Sequence, residues 1–263
     1  MSDLVLVNRL DNIFEIVLNR PEKRNAINWS MMVALEKAIE EAEHFRGARA
    51  VIIRGEGGGF SSGIDLMAFP EIAQTFGSDW QNQMLKVTSS FQAIFNKIEQ
   101  CALPTIALIH GYALGLGFEL ALACDFRIAA RHAKIGLPET RLGLIPDVGG
   151  TTRLMRLVGP SRAKEVILTG RTLDLEVAER WGLVTAVVDN NQLEERGKSL
   201  AGEIALAAPL AVGYAKRVIN ELVETGKGLQ LEAWAQNRLI HSEDFEIGVQ
   251  AALSKTIPAW RGK

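Results

Sequence analysis

Hydrophobic positions follow two rhythms along this chain. Over 4–7 and 13–18 they alternate or run continuously and are rich in Val, Leu and Ile, which predicts two strands joined by a turn at Asp11-Asn12. The period then lengthens. Met31, Leu35, Ala38, Ile39 and Ala42 recur at helical spacing, and Ser30 stands where a cap for a helix over 31–45 belongs. A short apolar strand over 51–53 ends at Gly55, and the loop Gly57-Gly58-Gly59 follows. The spacing predicts a long helix over 81–98 with Leu85, Phe91, Phe95 and Ile98 on one side. A strand over 105–109 comes next, then Gly111 and a helix through Leu122, then a strand over 126–129.

This alternation predicts an α/β fold built from βα or ββα units. After Thr151 the pattern is almost wholly helical, apart from a short apolar strand over 184–188. The stretch 190–256 reads as three or four amphipathic helices, one opening at Pro209, where a missing N–H costs nothing. A soft boundary is expected near residue 200, dividing a core (1–200) from a helical region (201–263). No low-complexity linker or fixed-period repeat separates the two, so they are expected to pack together.

Composition narrows the function classes. Of 263 residues, 48% are hydrophobic and 23% charged, with a net charge of −2, so a sizeable core is available and disorder is not expected. No basic excess exists to neutralise phosphates, which disfavours nucleic acid as a partner. Cys101 and Cys124 sit in apolar stretches without C-x-x-C spacing and read as reduced core thiols. The first residues, Met1 to Val7, lack a basic n-region and an Arg-rich transit character, and no uncharged run of about 18 residues is present. A cytoplasmic protein without a membrane span is expected.

Three segments carry candidate chemistry: Gly59 to Leu66, His110 to Glu119, and Leu137-Pro138-Glu139 continuing through Ile145 to Thr151. The first two place glycines after a strand and just before a helical segment. The backbone there turns tightly and admits a ligand closely, and the first turn of a helix offers unpaired N–H groups at a positive dipole end. Two such ends facing each other make an oxyanion hole; singly, each loop is also ordinary turn punctuation. Gly59-Phe60-Ser61-Ser62-Gly63 also matches the G-x-S-x-G serine elbow. The strand ends several residues earlier, and His110-Gly111 follows the serine rather than preceding it, so serine hydrolysis is disfavoured. No phosphate-binding P-loop is present, and Gly115-Leu116-Gly117 has Leu120 where the dinucleotide fingerprint needs its third glycine. His44, His110, His132 and His241 are scattered without metal-ligand spacing, and no metal site is expected. Glu119 lies in an apolar helix, where a carboxylate must be hydrogen-bonded or used. Glu139 follows Pro138 at the start of a short helix, where a charge also suits the dipole, and Asp147 precedes a helix, where it also reads as a cap.

In order and spacing these segments resemble the enoyl-CoA hydratase/isomerase (crotonase) family. Phe60 to Leu66 is similar to its first oxyanion segment, Gly111 to Ala121 to its second, and Pro138-Glu139 with Gly143 to Thr151 to its catalytic acid segment. Asn19-Arg20-Pro21 with Asn25-Ala26 resembles its N-terminal CoA-contacting stretch; Ser242 to Gly248 and Trp260 to Lys263 resemble its C-terminal helical signature. The resemblance covers nearly the whole chain. It implies a right-handed spiral of ββα units with a C-terminal helical region used for trimer formation, assembled as a homotrimer or as a hexamer of two trimers. It implies an acyl-CoA thioester as substrate and no permanently bound cofactor. The N–H groups of Ile64 and Leu116 would hold the thioester oxygen, and Glu119 and Glu139 would flank the reacting carbons. Lys23, Arg24, Ala26, Ser62, Gly63, Ile64, Asp65 and Leu66 would contact CoA. One departure stands out: the family most often has glycine where this chain has Leu116, and leucine restricts φ and crowds the site.

Hydration of a 2-enoyl-CoA in fatty acid metabolism is the expected activity. Double-bond migration in a 3-enoyl- or dienoyl-CoA is the alternative, motivated by Asp147, an acid that dienoyl-CoA isomerases of the family use at that position. A third reading, a non-catalytic binding member of the fold, fits poorly with the near-neutral charge and the carboxylate pair. Met67, Phe69, Trp80, Met84 and Phe91 are candidates to line an acyl pocket, and read equally well as core.

Overall fold

The computed structural model describes residues 3–223 and 226–262; Met1, Ser2 and the Lys263 of the C-terminal signature lie outside them. The chain opens with β1 (Val5–Leu10), β2 (Ile13–Leu18), α1 (Trp29–His44) and β3 (Ala50–Gly55), followed by α2 (Phe69–Phe76) and α3 (Met84–Gln100). Then come β4 (Thr105–Ile109), β5 (Tyr112–Leu114), α4 (Leu116–Ala123), β6 (Phe126–Ala130) and β7 (Lys134–Gly136). The remainder is α5 (Gly150–Thr169), β8 (Thr172–Leu173), α6 (Leu175–Arg180), β9 (Ala186–Val188), α7 (Leu193–Ala205), α8 (Pro209–Glu221), α9 (Gly226–Leu239) and α10 (Glu243–Ser254).

The main sheet has the order β1-β2-β3-β4-β6-β9, antiparallel at β1–β2 and parallel beyond. Its central strands are buried on both faces, which is why β2, β3 and β4 are mostly apolar; the one charged residue in β2, Glu15, pairs with Arg54 of β3 at 3.0 Å. One face packs with α1, α3, α4 and α5 in the principal core, and the other is covered by Leu193, Leu200 and Ala201 of α7. A smaller sheet, β5-β7-β8, forms a second layer. Two parallel bridges, Ile27 to Ile64 and Ser61 to Ala113, carry that layer back toward the N-terminus. Each turn of the chain therefore places one strand in the main sheet and one extended segment in the second layer before a helix returns.

The α/β class and the helical C-terminal half match the sequence expectation, and α8 opens at Pro209. Four details differ. The cap of α1 is Asn28, whose side chain accepts the Met31 N–H at 3.0 Å, because Asn28 has the extended backbone a cap needs; Ser30 sits inside the first turn and is held by Glu71 of α2. The long helix begins at Met84 after a 3-10 turn over Trp80–Gln83. Its core face runs through Met84, Val87, Phe91, Ile94, Phe95 and Ile98, while Leu85 is exposed. Finally, β5 intervenes between Gly111 and α4, because the Tyr112–Leu114 backbone pairs with β7.

Candidate active site

Three successive turns of the second layer end side by side. The segment through Ser61 runs into Gly63-Ile64, β5 runs into Gly115-Leu116, and β7 runs into Pro138-Glu139. The layers are tied by backbone hydrogen bonds from Ser61 N–H to Tyr112 C=O and from Leu114 N–H to Ser61 C=O, both 3.0 Å, and from Gly115 N–H to Gly136 C=O at 3.0 Å. Glycine is required where the turns touch. Gly63, at φ 99°, would carry a Cβ only 2.7 Å from the Leu114 carbonyl oxygen and 3.5 Å from the Leu116 nitrogen. Gly115 supplies the positive φ of 51° that starts α4. Leu116 itself is an ordinary first helical residue, so its side chain causes no backbone strain and lines the cavity instead. Among the described residues, the N–H groups of Ile64 and Leu116 have no hydrogen-bond acceptor.

These ends open on a cavity of about 70 Å³. Ile64, Leu66, Phe69, Trp80, Met84 and Phe91 form much of its apolar wall, and Glu119, Glu139 and Asp147 all reach it. Phe69 stacks on Trp80 with ring centroids 5.6 Å apart and meets Phe245 of α10 edge-on at 6.2 Å. Met67 does not line the cavity: it is 70% exposed, because it lies on the outer side of the 3-10 turn over Leu66–Ala68.

The three carboxyl groups are held differently. Glu119 is buried on α4, and its Oε2 accepts the N–H groups of Val148 at 2.7 Å and Gly150 at 3.0 Å. Glu139 opens a 3-10 turn, and its Oε2 is sealed from solvent without a hydrogen-bond partner among the described residues. Asp147 accepts the Thr88 hydroxyl at 2.8 Å and does not cap α5, whose cap position is Gly149. Burial pushes the Glu139 carboxyl up to about 8, reinforced by Asp147. Burial likewise lifts Asp147 to about 7. Glu119 is raised well above the ordinary carboxylate range, first by burial and then by the neighbouring Glu139, Asp147 and Glu232. Several acids in one apolar cavity cannot all ionise, so the site stores protons near neutrality.

Residues 8–263 match the model of the "Enoyl-CoA hydratase/isomerase" family. The chain belongs to this family. It is 38% identical to the "Probable enoyl-CoA hydratase 2, mitochondrial" of Arabidopsis thaliana over 99% of this chain and 86% of that one. It is 36% identical to the 2,3-dehydroadipyl-CoA hydratase of Escherichia coli over 100% of both chains. The crystal structure of an enoyl-CoA hydratase from Mycobacterium avium subsp. paratuberculosis superposes with a TM-score of 0.86 at 27% identity, covering 98% of this chain and 99% of that one. The fold is thus the crotonase spiral, and the chain is an enzyme of the hydratase/isomerase family.

Within this family fold the structure brings Ile64, Leu116, Glu119, Glu139 and Asp147 together in one cavity. The residues expected to contact CoA lie on two segments joined by hydrogen bonds; Lys23 and Arg24 are exposed, Ser62, Ile64, Asp65 and Leu66 half-buried, and Ala26 and Gly63 buried. Ser62 N–H donates to Arg24 C=O at 3.0 Å, and Arg20 bridges the Ala26 carbonyl at 2.6 Å and Asp65 at 3.0 Å. Lys23 is exposed beside them, and the Arg24 guanidinium lies 4.6 Å over the Tyr112 ring. Asn25 is wholly buried: its Nδ2 donates to the carbonyls of Glu56 and Gly59, both at 2.8 Å, so it ties the first loop to the N-terminal stretch. Ser61 is no nucleophile. It is buried, with Oγ donating to Asn25 C=O at 2.8 Å and accepting from Gly63 N–H at 3.2 Å.

Sequence reasoning missed the residues that hold the carboxylates. Thr88, Gln92, Asn96 and Glu99 form a polar stripe on α3. Gln92 donates to Asp147 C=O at 2.7 Å, and Asn96 and Glu99 accept from the buried Arg153 at 2.7 and 2.9 Å. Attention to the apolar face alone hides this stripe, although its helical spacing is visible in the sequence. Glu232 of α9 was missed in the same way: with Leu229, Ala233 and Gln236 it shares the buried face of its helix.

Proposed function

We propose that this enzyme hydrates a 2-enoyl-CoA, with Ile64 and Leu116 as oxyanion donors and Glu119 and Glu139 as the proton-handling pair. The observation that carries the reading is the single cavity in which two unengaged N–H groups meet a fixed carboxylate and an unpartnered one. The thioester oxygen accepts both N–H groups, so charge moved onto it during attack is stabilised in place; losing one such donor costs about 3–4 kcal/mol in comparable sites. The ionised form of Glu119, which the Val148 and Gly150 N–H groups favour and orient, holds a water and takes its proton as the oxygen bonds to C3. The C2–C3 π pair moves onto the thioester as an enolate. Glu139, which keeps its proton near neutrality, delivers it to C2 as the enolate collapses. Lys23, Arg24, Ala26, Ser62, Gly63, Ile64, Asp65 and Leu66 contact CoA in this reading, and Phe69, Trp80, Met84 and Phe91 surround the acyl chain.

Asp147 favours a second reading, double-bond migration, because a third proton-holding acid in the same cavity can shuttle a proton without water. Turnover of crotonyl-CoA in heavy-oxygen water separates the two: hydration incorporates solvent oxygen, and isomerisation of a 3-enoyl-CoA does not. Failure to consume crotonyl-CoA, with turnover of the 3-enoyl substrate, would replace the first reading by the second. We further infer that the region 201–263 serves assembly into a homotrimer or a hexamer, in the cytoplasm, and that the pathway is fatty acid metabolism. Among the described residues no helix is long and apolar enough to cross a membrane.

A further inference from the structure

Glu232 is a buried carboxylate that the mechanism above does not use. It projects from α9, 80 and 83 positions beyond the two residues of the turn that it meets. That turn, residues 145–152, leads into α5, whose first intrahelical bond runs from Arg153 N–H to Gly149 C=O at 2.8 Å. The N–H groups ahead of that bond need acceptors from elsewhere, and two buried carboxylates divide four of them. Glu119 takes Val148 and Gly150; Glu232 takes Gly149 at 2.7 Å and Thr152 at 2.5 Å. The two sets interleave along one turn, so neither carboxylate can move without displacing the donors of the other. A second grip lies one helical turn further along α9, where Gln236 Oε1 accepts the Ile145 N–H at 3.3 Å. No slack remains in the turn: a Cβ on Gly149 would fall 1.7 Å from the Arg153 guanidinium, and one on Gly150 would fall 2.8 Å from Glu119 Cγ.

We propose that Glu232 is a positioning residue for the hydration reaction, clamping the 148–152 turn from α9 so that this turn holds the Glu119 carboxylate in its reactive orientation. This rests on the hydratase reading given above. The charged groups around the turn are Glu119 from α4, Glu139 from its 3-10 turn, Asp147 within the turn, Arg153 from α5, Glu99 from α3 and Glu232 from α9. Glu232 adds a like charge that makes the Glu119 carboxylate a stronger proton acceptor, behind the larger effects of burial, Glu139 and Asp147. Glu232, which does not line the cavity, thereby lets α9 act on the geometry of the site from behind the turn.

The test compares wild type, Glu232→Gln and Glu232→Asp. The amide of Glu232→Gln has nearly the same shape, but one of its two ends is a donor and faces an N–H, so one of the two bonds is lost. The aspartate keeps the charge and loses reach. With crotonyl-CoA, kcat of Glu232→Gln is expected to fall at least about tenfold, with KM within about threefold, since orientation is lost and substrate contacts are not. The titration midpoint of the Glu119 carboxyl, read by carbon-13 NMR with Glu119→Gln as the assignment reference, is expected to fall in Glu232→Gln and to move less in Glu232→Asp. A folded Glu232→Gln with wild-type kcat and an unmoved midpoint would overturn the proposal. So would a lower melting temperature as its only effect, or failure of both variants to fold, which would make Glu232 a residue of stability alone. If wild type leaves crotonyl-CoA untouched, the hydratase reading fails, and the midpoint shift, which needs no substrate, still decides whether Glu232 governs Glu119.

Discussion

Glu139 carries the sharpest consequences at the scale of single residues. A glutamic acid in water loses its proton near 4.3, whereas burial holds this one up to about 8. The folded state therefore binds more protons than the unfolded chain between those values, and stability falls as pH rises through that window. Glu139→Gln removes the ionising group. Its stability is expected to gain on wild type as pH climbs from 5 to 8, by an amount on the order of a few kcal/mol at the upper end. Thermal melts of both proteins across that range check the sign, and a gap that narrows with pH would refute the assignment. The same substitution removes the proton donor to C2, so hydration of crotonyl-CoA should fall by roughly 10²–10⁴ in kcat. A more stable and nearly inactive variant is what a strained catalytic acid predicts. Ser61→Ala, by contrast, touches no substrate. It removes the bond to Asn25 C=O and the acceptor for Gly63 N–H. We expect a stability cost of about 1–3 kcal/mol with hydratase activity retained, measured by denaturant unfolding beside the crotonyl-CoA assay. Abolition of turnover in a folded Ser61→Ala would reopen the serine reading.

At the scale of elements, the site depends on how closely α4 approaches the first loop. Gly117 lies against Ser61, and an added Cβ would come within 2.6 Å of Ser61 Cβ and 2.9 Å of its carbonyl oxygen. Gly117→Ala must push α4 off the loop, which separates the Leu116 donor from the Ile64 donor. The expected result is a loss of about 10²–10³ in kcat, comparable to removing one oxyanion donor, and wild-type turnover in this variant would show that the two donors need not stay in register. The glycines at this contact were legible in the sequence because they cluster where strands end; their true neighbours were not. Whether Gly117 serves a turn or a close approach depends on Ser61, over fifty positions away, and periodicity carries no information about such pairs. The α1 cap shows the same limit on a smaller scale. Asn28 and Ser30 both fit as caps by residue type, and only the extended backbone of Asn28, with Glu71 engaging Ser30, decides between them. The catalytic glutamates were legible for the opposite reason. A carboxylate inside Phe118-Glu119-Leu120-Ala121 contradicts its surroundings, and that conflict is local. Glu232 and the polar stripe of α3 contradict theirs more weakly, since each lies on a helix with a solvated face where charge is ordinary.

At the scale of the whole molecule, α8 presents a stripe that no described residue covers. Leu210, Tyr214, Val218 and Leu222 succeed one another every fourth residue and are 76%, 66%, 57% and 80% exposed. Leu206, at the end of α7, is also exposed. The stripe is not a loosely held element turned outward by chance. On the opposite side Lys216 donates to the Leu103 carbonyl at 3.1 Å and pairs with Asp125 at 2.6 Å, while Asn220 donates to the Glu99 carbonyl at 2.9 Å. Those buried bonds fix which face of α8 points away from the body. Apolar surface of this kind marks an interaction site, and it supports the assembly proposed above. Light scattering on wild type is then expected to give a mass of three or six chains of 28.8 kDa. Tyr214→Glu with Val218→Glu places two like charges in the stripe without touching Lys216, Asn220 or the catalytic cavity. Because both positions are exposed, the intrinsic fold cost of each change should stay within about 0.5 kcal/mol, and the expected outcome is dissociation toward single chains. Dissociation also reports on the site. α9 follows α8 and carries both Glu232 and Gln236, so loosening α8 should reach the 145–152 turn through α9 and lower kcat more than it raises KM. A charged double variant that keeps the wild-type mass would exclude this stripe as the subunit contact. One that dissociates with full activity would keep the stripe as the contact and show that α9 holds its place without help from neighbouring chains.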